Sequence, residues 1–305
     1  MRADRATVTL SSLLAAALLS LAGACAPRTV WTGGESDGGG DGLRPSGDAS
    51  NPAAKDYIYL VDDSNRLLRF DPPRVKLKLV GLLQCPVTTS VFPHSMSVDR
   101  DGRGWVLYQD GQVFWVDTRT ASCNRSDFEP NQLGFKQFGM GFVSDSSVAA
   151  GEKLYISGSA VSDKHNVLGW VDPGDLKVRE VGPLPKMEQS PELTGTAEGK
   201  LYGYFPGSSA ALVARLDPGT GKALRRWNLP GLGREAEAWA FAHWGGKFYI
   251  FNSVTDSIST KNRVQLLLPG SGTLLTIMTH SFRIVGAGVS IRAPTVTPDG
   301  GPGGG

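Results

Sequence analysis

The sequence predicts an all-β fold: a five-bladed β-propeller of about 47-residue repeats, closed by the C-terminal strand completing the first blade. Three observations predict it. An apolar and aromatic strand core recurs as IYLV at Ile58, WVLY at Trp105, LYIS at Leu154, LYGY at Leu201 and FYIF at Phe248. Its second positions, Tyr59, Val106, Tyr155, Tyr202 and Tyr249, return about every 47 residues, and a period of that length signals a repeat architecture. Each copy but the first follows a strand of small and apolar residues: SMSVD from Ser95, GMGFV from Gly139, ELTGT from Glu192 and AWAFA from Ala238. A fifth such strand, VGAGVS from Val285, has no partner after it. A ring closes when the surplus last strand fills the vacancy in the first blade, which removes an exposed sheet edge. The 39 glycines and 19 prolines suit many short strands joined by tight turns.

Along the chain, residues 1–24 read as a secretory signal. Arg2 and Arg5 precede the apolar run LSSLLAAALLSL, and the small residues Ala22, Gly23 and Ala24 precede Cys25. Small residues before a cysteine match the lipobox of bacterial lipoproteins, with Leu21 one place earlier than the preferred position; the same residues suit ordinary signal cleavage and secretion. Cys25 is therefore the expected lipidation site, carrying acyl chains such as palmitate, and each buried methylene adds about 0.8 kcal/mol of membrane affinity. Ala26, where an inner-membrane retention signal would place Asp, points the anchor to the outer membrane of the cell envelope, with a secreted or periplasmic protein as the alternative. Residues 25–55 include GGESDGGGDG and read as a flexible tether; a Gly-rich coil of roughly 29 residues spans about 30 Å root-mean-square. Residues 56–293 form the propeller, and residues 294–305, ending GGPGGG, a disordered tail.

Within the repeats, the third strand ends in Asp four times, at Asp71, Asp117, Asp172 and Asp217. Pro-Pro, Thr-Arg, Pro-Gly and Pro-Gly follow, so these carboxylates are expected to cap turns rather than bind metal. DRDG at Asp99 to Gly102 has a calcium-like start but lacks the distal bidentate Glu of an EF-hand loop, and reads as a hairpin turn. Lipidation of Cys25 leaves Cys85 and Cys123 in an oxidising compartment. They are expected to form a disulfide worth about 4 kcal/mol, two buried thiols being the alternative.

Composition narrows the function. A chain 40% apolar with a formal net charge of +2 is neither disordered throughout nor a nucleic-acid binder that works by bulk charge. Neither a G-x-S-x-G elbow nor a P-loop is present, and His94, His165, His243 and His280 lack metal-ligand spacing, so no metal and no cofactor are expected. In a propeller, the loops entering the inner strands share a face with those joining the second and third strands. The entry loops carry Phe92, His94, Phe135, Phe138, Met187, His280 and Phe282, an aromatic-rich set suited to binding a glycan or peptide. Arg234 and Glu235 stand among them, and Glu192 and Glu237 begin inner strands of neighbouring blades, where they would serve as an acid and a base.

The stretches HSMSVDRDGRGWVLYQDGQVFWVDT, FGMGFVSD, ELTGTAEGKLYGYF, AWAFAHWGGKFYIF and VGAGVSIRAPT, with the signal and tether, resemble the β-propeller lipoproteins of Gram-negative bacteria. No WD or kelch signature is present. The resemblance implies a fold and a location and carries no catalytic residues. The expected function is a membrane-tethered, non-enzymatic, monomeric propeller that binds an envelope protein or a glycan through its loop face. Two alternatives stand beside it: a carbohydrate-active or lactone-cleaving hydrolase using Glu192 and Glu237, and a structural component of an envelope complex.

Overall fold

A computed structural model describes residues 51–147, 151–232, 236–255 and 259–296. Cys25 and the signal segment lie outside them, as does most of the tether and tail. The first blade contains β1 (Ile58–Asp62), β2 (Arg66–Asp71) and β3 (Lys76–Leu82), and the second β4 (Pro93–Val98), β5 (Arg103–Tyr108), β6 (Val113–Asp117) and β7 (Cys123–Arg125). The third runs through β8 (Phe138–Asp145), β9 (Gly151–Gly158), β10 (Val167–Val171) and β11 (Val178–Pro183), and the fourth through β12 (Glu192–Gly195), β13 (Leu201–Phe205), β14 (Ala211–Leu216) and β15 (Ala223–Leu229). The fifth holds β16 (Ala238–Trp244), β17 (Lys247–Thr255), β18 (Thr260–Leu268) and β19 (Thr273–His280), after which β20 (Ile284–Gly288) returns to the first.

Each sheet has four antiparallel strands, and the first is ordered β20-β1-β2-β3. The closure is a true ladder, with Tyr59 opposite Gly288, Leu60 opposite Ala287 and Val61 opposite Gly286. The expected five blades and their closure are thus present. A blade packs on both faces, so its second strand is apolar at successive positions rather than alternate ones, and β1 and β13 are buried throughout. The outermost strands face solvent on one side, and β3 is mostly exposed. Five apolar clusters among the described residues lie between adjacent blades. One joins Phe70 of the first blade to Tyr249 and Phe251 of the fifth across the seam, with ring centroids 5.7 Å apart in both pairs.

The Asp residues act as turn caps. Oδ1 of Asp117, Asp172 and Asp217 each accepts a backbone N–H two residues on, at 2.8 Å, and Asp71 accepts from Arg74 at 3.2 Å. Asp99 accepts the N–H groups of Asp101 and Arg103 and the Trp105 indole N–H, and Gly102 supplies the left-handed residue of that hairpin. Cys85 and Cys123 are bonded, tying the segment between the first and second blades to the second blade's outer strand.

The described residues begin at Asn51, five residues before the expected boundary of the propeller, and Asn51 is already bonded to it. Asn51 Nδ2 donates to the Tyr59 hydroxyl and to Thr118 Oγ1, and its backbone N–H donates to the Asp101 carbonyl. A 3-10 turn, Pro52–Asp56, follows and buries Ala54. Composition alone hides this, because Asn-Pro-Ala-Ala continues the small-residue character of the preceding stretch. Among the described residues, no helix is long and apolar enough to cross a membrane.

Candidate functional site

The inner strands run side by side about the axis, and their starts surround a cavity of about 530 Å³. Its wall comes from Phe92 to His94 before and within β4, Gln137 and Gly139 at β8, Gln189 to Glu192 at β12, Glu237 to Trp239 at β16, and Arg283 and Val285 at β20. Asp63, Gln109 and Ser159 to Val161, after the second strands of three blades, complete it. Main-chain bonds lock these loops together. The N–H of Asp63 donates to Arg283 O, that of Gln109 to Phe92 O, that of Ser159 to Gln137 O and that of Glu237 to Ser253 O. These four N–H groups are thereby committed to the scaffold.

The floor is a hydrogen-bonded plug. Ser95 Oγ on β4 donates to Glu192 Oε2 on β12 at 2.9 Å, linking the second and fourth blades across the axis. The Met140 N–H on β8 also bonds this carboxyl. Just below, Phe142 N–H donates to Ser97 Oγ and His243 N–H to Thr194 Oγ1, stitching further pairs of inner strands. The strands approach so closely that a Cβ on Gly139 would collide with the Pro191 carbonyl oxygen, and one on Gly195 with that of Phe142. The small residues of the inner strands are thus a steric requirement of the axis.

Burial sets the protonation of the deep groups. Glu192 is 4% exposed, and desolvation pushes its carboxyl well above the usual range although the bonds from Ser95 and Met140 oppose the shift. Burial holds the His94 imidazole down at about 4, so it is neutral at pH 7. At the rim, Arg283 lies between Asp63, at 3.3 Å, and the exposed Glu237, at 4.0 Å, and donates to the Glu237 carbonyl oxygen at 2.8 Å. Three buried polar atoms of the lining have no hydrogen-bond partner: Ser159 Oγ, Gln189 Oε1 and Arg283 Nε.

Of the residues expected at the site, Phe92, His94, Glu192 and Glu237 do meet at this cavity. Phe135 and Phe138 do not belong to a contact surface: both are fully buried between the second and third blades, where Phe138 packs edge-on against Phe128. Met187 packs against the cluster between the third and fourth blades. Phe282 lies beneath the Arg66 guanidinium at 4.7 Å, with the His280 ring 6.3 Å away, and neither ring lines the cavity. Arg234 and Glu235 lie outside the described residues. The histidines are dispersed: His165 bonds Ser190 Oγ, and His243 stacks on Tyr202. Sequence reasoning missed Ser159, Gln189, Trp239 and Arg283. The signal that finds them is positional, because each lies just after a second strand or just before or inside the start of an inner strand.

No family model and no curated protein matches this chain. Solved structures do. A calcium-binding protein, regucalcin, from Agrobacterium tumefaciens is 15% identical with a TM-score of 0.43, the match covering 67% of this chain and 66% of that one. A catalytically inactive virginiamycin B lyase from Staphylococcus aureus with quinupristin is 14% identical with a TM-score of 0.40, covering 70% and 63%. The chain thus spans just under two thirds of the length of each. A likeness of this order concerns the fold and transfers neither calcium binding nor lyase chemistry.

Proposed function

We propose that this chain is a membrane-tethered, non-enzymatic propeller that captures an envelope or extracellular ligand in its axial cavity. The observation that carries the reading is a cavity of ligand size in which the main-chain N–H groups of Asp63, Gln109, Ser159 and Glu237 are already bonded while side-chain polar atoms of its lining lack partners. A lipid on Cys25 would hold the protein at the outer membrane. Val161 lines the mouth and is 58% exposed, so Val161→Trp should occlude the cavity without disturbing the core. Retention of envelope components by the wild type that this variant loses supports the reading; equal retention by both counts against it. Cys25→Ser should move the protein from the membrane to the soluble fraction and abolish palmitate labelling.

A second reading has its own observation. Glu192, held protonated on the floor, and Glu237, exposed at the rim, line one cavity in contrasting environments, the division of labour a glycoside hydrolase uses for its acid and its base or nucleophile. The Ser95 and Met140 bonds give Glu192 a structural task as well. Turnover of an oligosaccharide or lactone that Glu237→Gln abolishes, with folding intact, would favour the hydrolase.

A further inference from the structure

We infer that the ligand of the axial cavity is a neutral carbohydrate, a sugar-chain end with one ring against the Trp239 indole and its hydroxyls bonded to Ser159 and Gln189. This rests on the cavity being the binding site. Beyond size, four features select the class.

The deep lining is polar and uncharged. It contains the amides of Gln137 and Gln189, the hydroxyls of Ser159 and Ser190, and the imidazole of His94. His94 is neutral at pH 7, and Glu192 keeps its proton well past the ordinary carboxyl range. A charged ligand would give up hydration and find no counter-charge at this depth. The rim sets one guanidinium against two carboxylates, so an anion drawn to Arg283 meets Asp63 and Glu237, and both carboxylates already face that guanidinium.

The atoms awaiting partners match hydroxyl chemistry. Gln189 Oε1 accepts, Arg283 Nε donates and Ser159 Oγ does either, while a sugar hydroxyl both donates and accepts. Ser159 is 7% exposed and its oxygen is shut off from bulk water, so a ligand hydroxyl reaches it once the side chain turns towards the cavity. Trp239, half-buried in the wall, offers a flat apolar surface beside those polar groups, and Phe92 adds an exposed ring at the mouth. A peptide would instead seek free main-chain donors and acceptors, and the N–H groups of Asp63, Gln109, Ser159 and Glu237 are spent on neighbouring loops.

The test is an array of neutral and acidic oligosaccharides with a set of short peptides, followed by calorimetric titration of the full chain with the strongest binder. A neutral oligosaccharide should bind, about tenfold more weakly to Ser159→Ala and at least tenfold more weakly to Trp239→Ala. Val161→Trp should abolish binding. Ser159→Ala also controls for folding, since removing an unpartnered buried hydroxyl should leave the thermal midpoint unchanged or raised. Acidic sugars or peptides binding in a manner lost in Val161→Trp, with neutral sugars inert, would overturn the ligand class and leave the cavity as the site. Neutral sugars binding equally to all three variants would overturn both readings. Silence across the neutral array would overturn the carbohydrate assignment.

Discussion

Glu192 and His243 are buried ionisable groups near the axis whose environments oppose their charged forms, and they tilt stability with pH in opposite directions. In the unfolded chain Glu192 sheds its proton near its ordinary 4.5, while the native protein holds it well above that value. The native state then binds the extra proton, and stability falls as pH rises from 4.5 towards the folded-state pKa. His243 is the mirror case: its ordinary value of 6.5 drops to about 4 in the fold. Its contribution is complete above 6.5 and fades as pH falls towards 4, by a total on the order of 3 kcal/mol. His94, also held at about 4, adds to that acid-side slope. Urea midpoints of the wild type between pH 4.5 and 9 should therefore fall at both ends. Glu192→Gln, which can still accept from Ser95, should flatten the alkaline side; His243→Phe, which keeps a ring against Tyr202, should lessen the acid side. A Glu192→Gln curve parallel to the wild type would mean the native carboxyl is ionised, removing the acid that the hydrolase reading needs.

Among the described strands the shortest is β7, which has only three residues to close the second blade. The Cys85–Cys123 bond reinforces that edge, spanning a sequence separation of 38 residues. Replacing both cysteines with Ala should cost about 4 kcal/mol, a fall of about 10 °C in the thermal midpoint. Calorimetry of the double variant checks it, and an unchanged midpoint would show that the blade interfaces already hold β7. The inner strands supply a contrasting case. Gly195→Ala forces a methyl into the Phe142 carbonyl, and the strand must move away from the axis, at a cost of about 1–3 kcal/mol. These elements were legible in sequence for local reasons. A strand buried on both faces must be apolar at successive positions, as FYIF is, and a turn capped by Asp and Pro announces itself within a few residues. The cavity was legible only in part. Phe138 and Phe92 both precede or begin inner strands, yet one turns between blades and the other towards the mouth, and nothing local to either residue records that choice. Ser159, Gln189 and Arg283 are ordinary loop residues far apart in the chain, and only the ring brings them to one wall.

The five blades close into a ring, and this distinguishes them from a linear array of the same repeats. In a linear array each repeat touches only its neighbours, so loss of a terminal strand weakens one end. Here β20 belongs to the first blade by hydrogen bonds while it is the last strand in sequence. Its glycines sit against the neighbouring inner strand: Gly286 faces the backbone of Ser95 and Met96, and Gly288 that of Ser97 and Val98. Ile284 and Ala287 also join the cluster that seals the first blade to the fifth. The segment beyond β20 secures the face opposite the cavity, where Ser290 Oγ donates to the Arg100 carbonyl and Gly245 N–H donates to the Pro294 carbonyl. A chain ending at Arg283 should therefore lose more than one edge. It exposes the backbone of β1 along its length, opens the seam on both sides of the first blade and removes Val285 from the cavity wall. Such a chain is expected to unfold without a cooperative transition and to associate through the bared edge, as size-exclusion chromatography and urea titration would report. Truncation after Val296 keeps every bond named above and should leave the unfolding free energy within about 0.5 kcal/mol of the wild type. If the chain ending at Arg283 remained monomeric and cooperative, the blades would be stable as an open array, and the cavity would owe its shape to the individual loops rather than to closure of the ring.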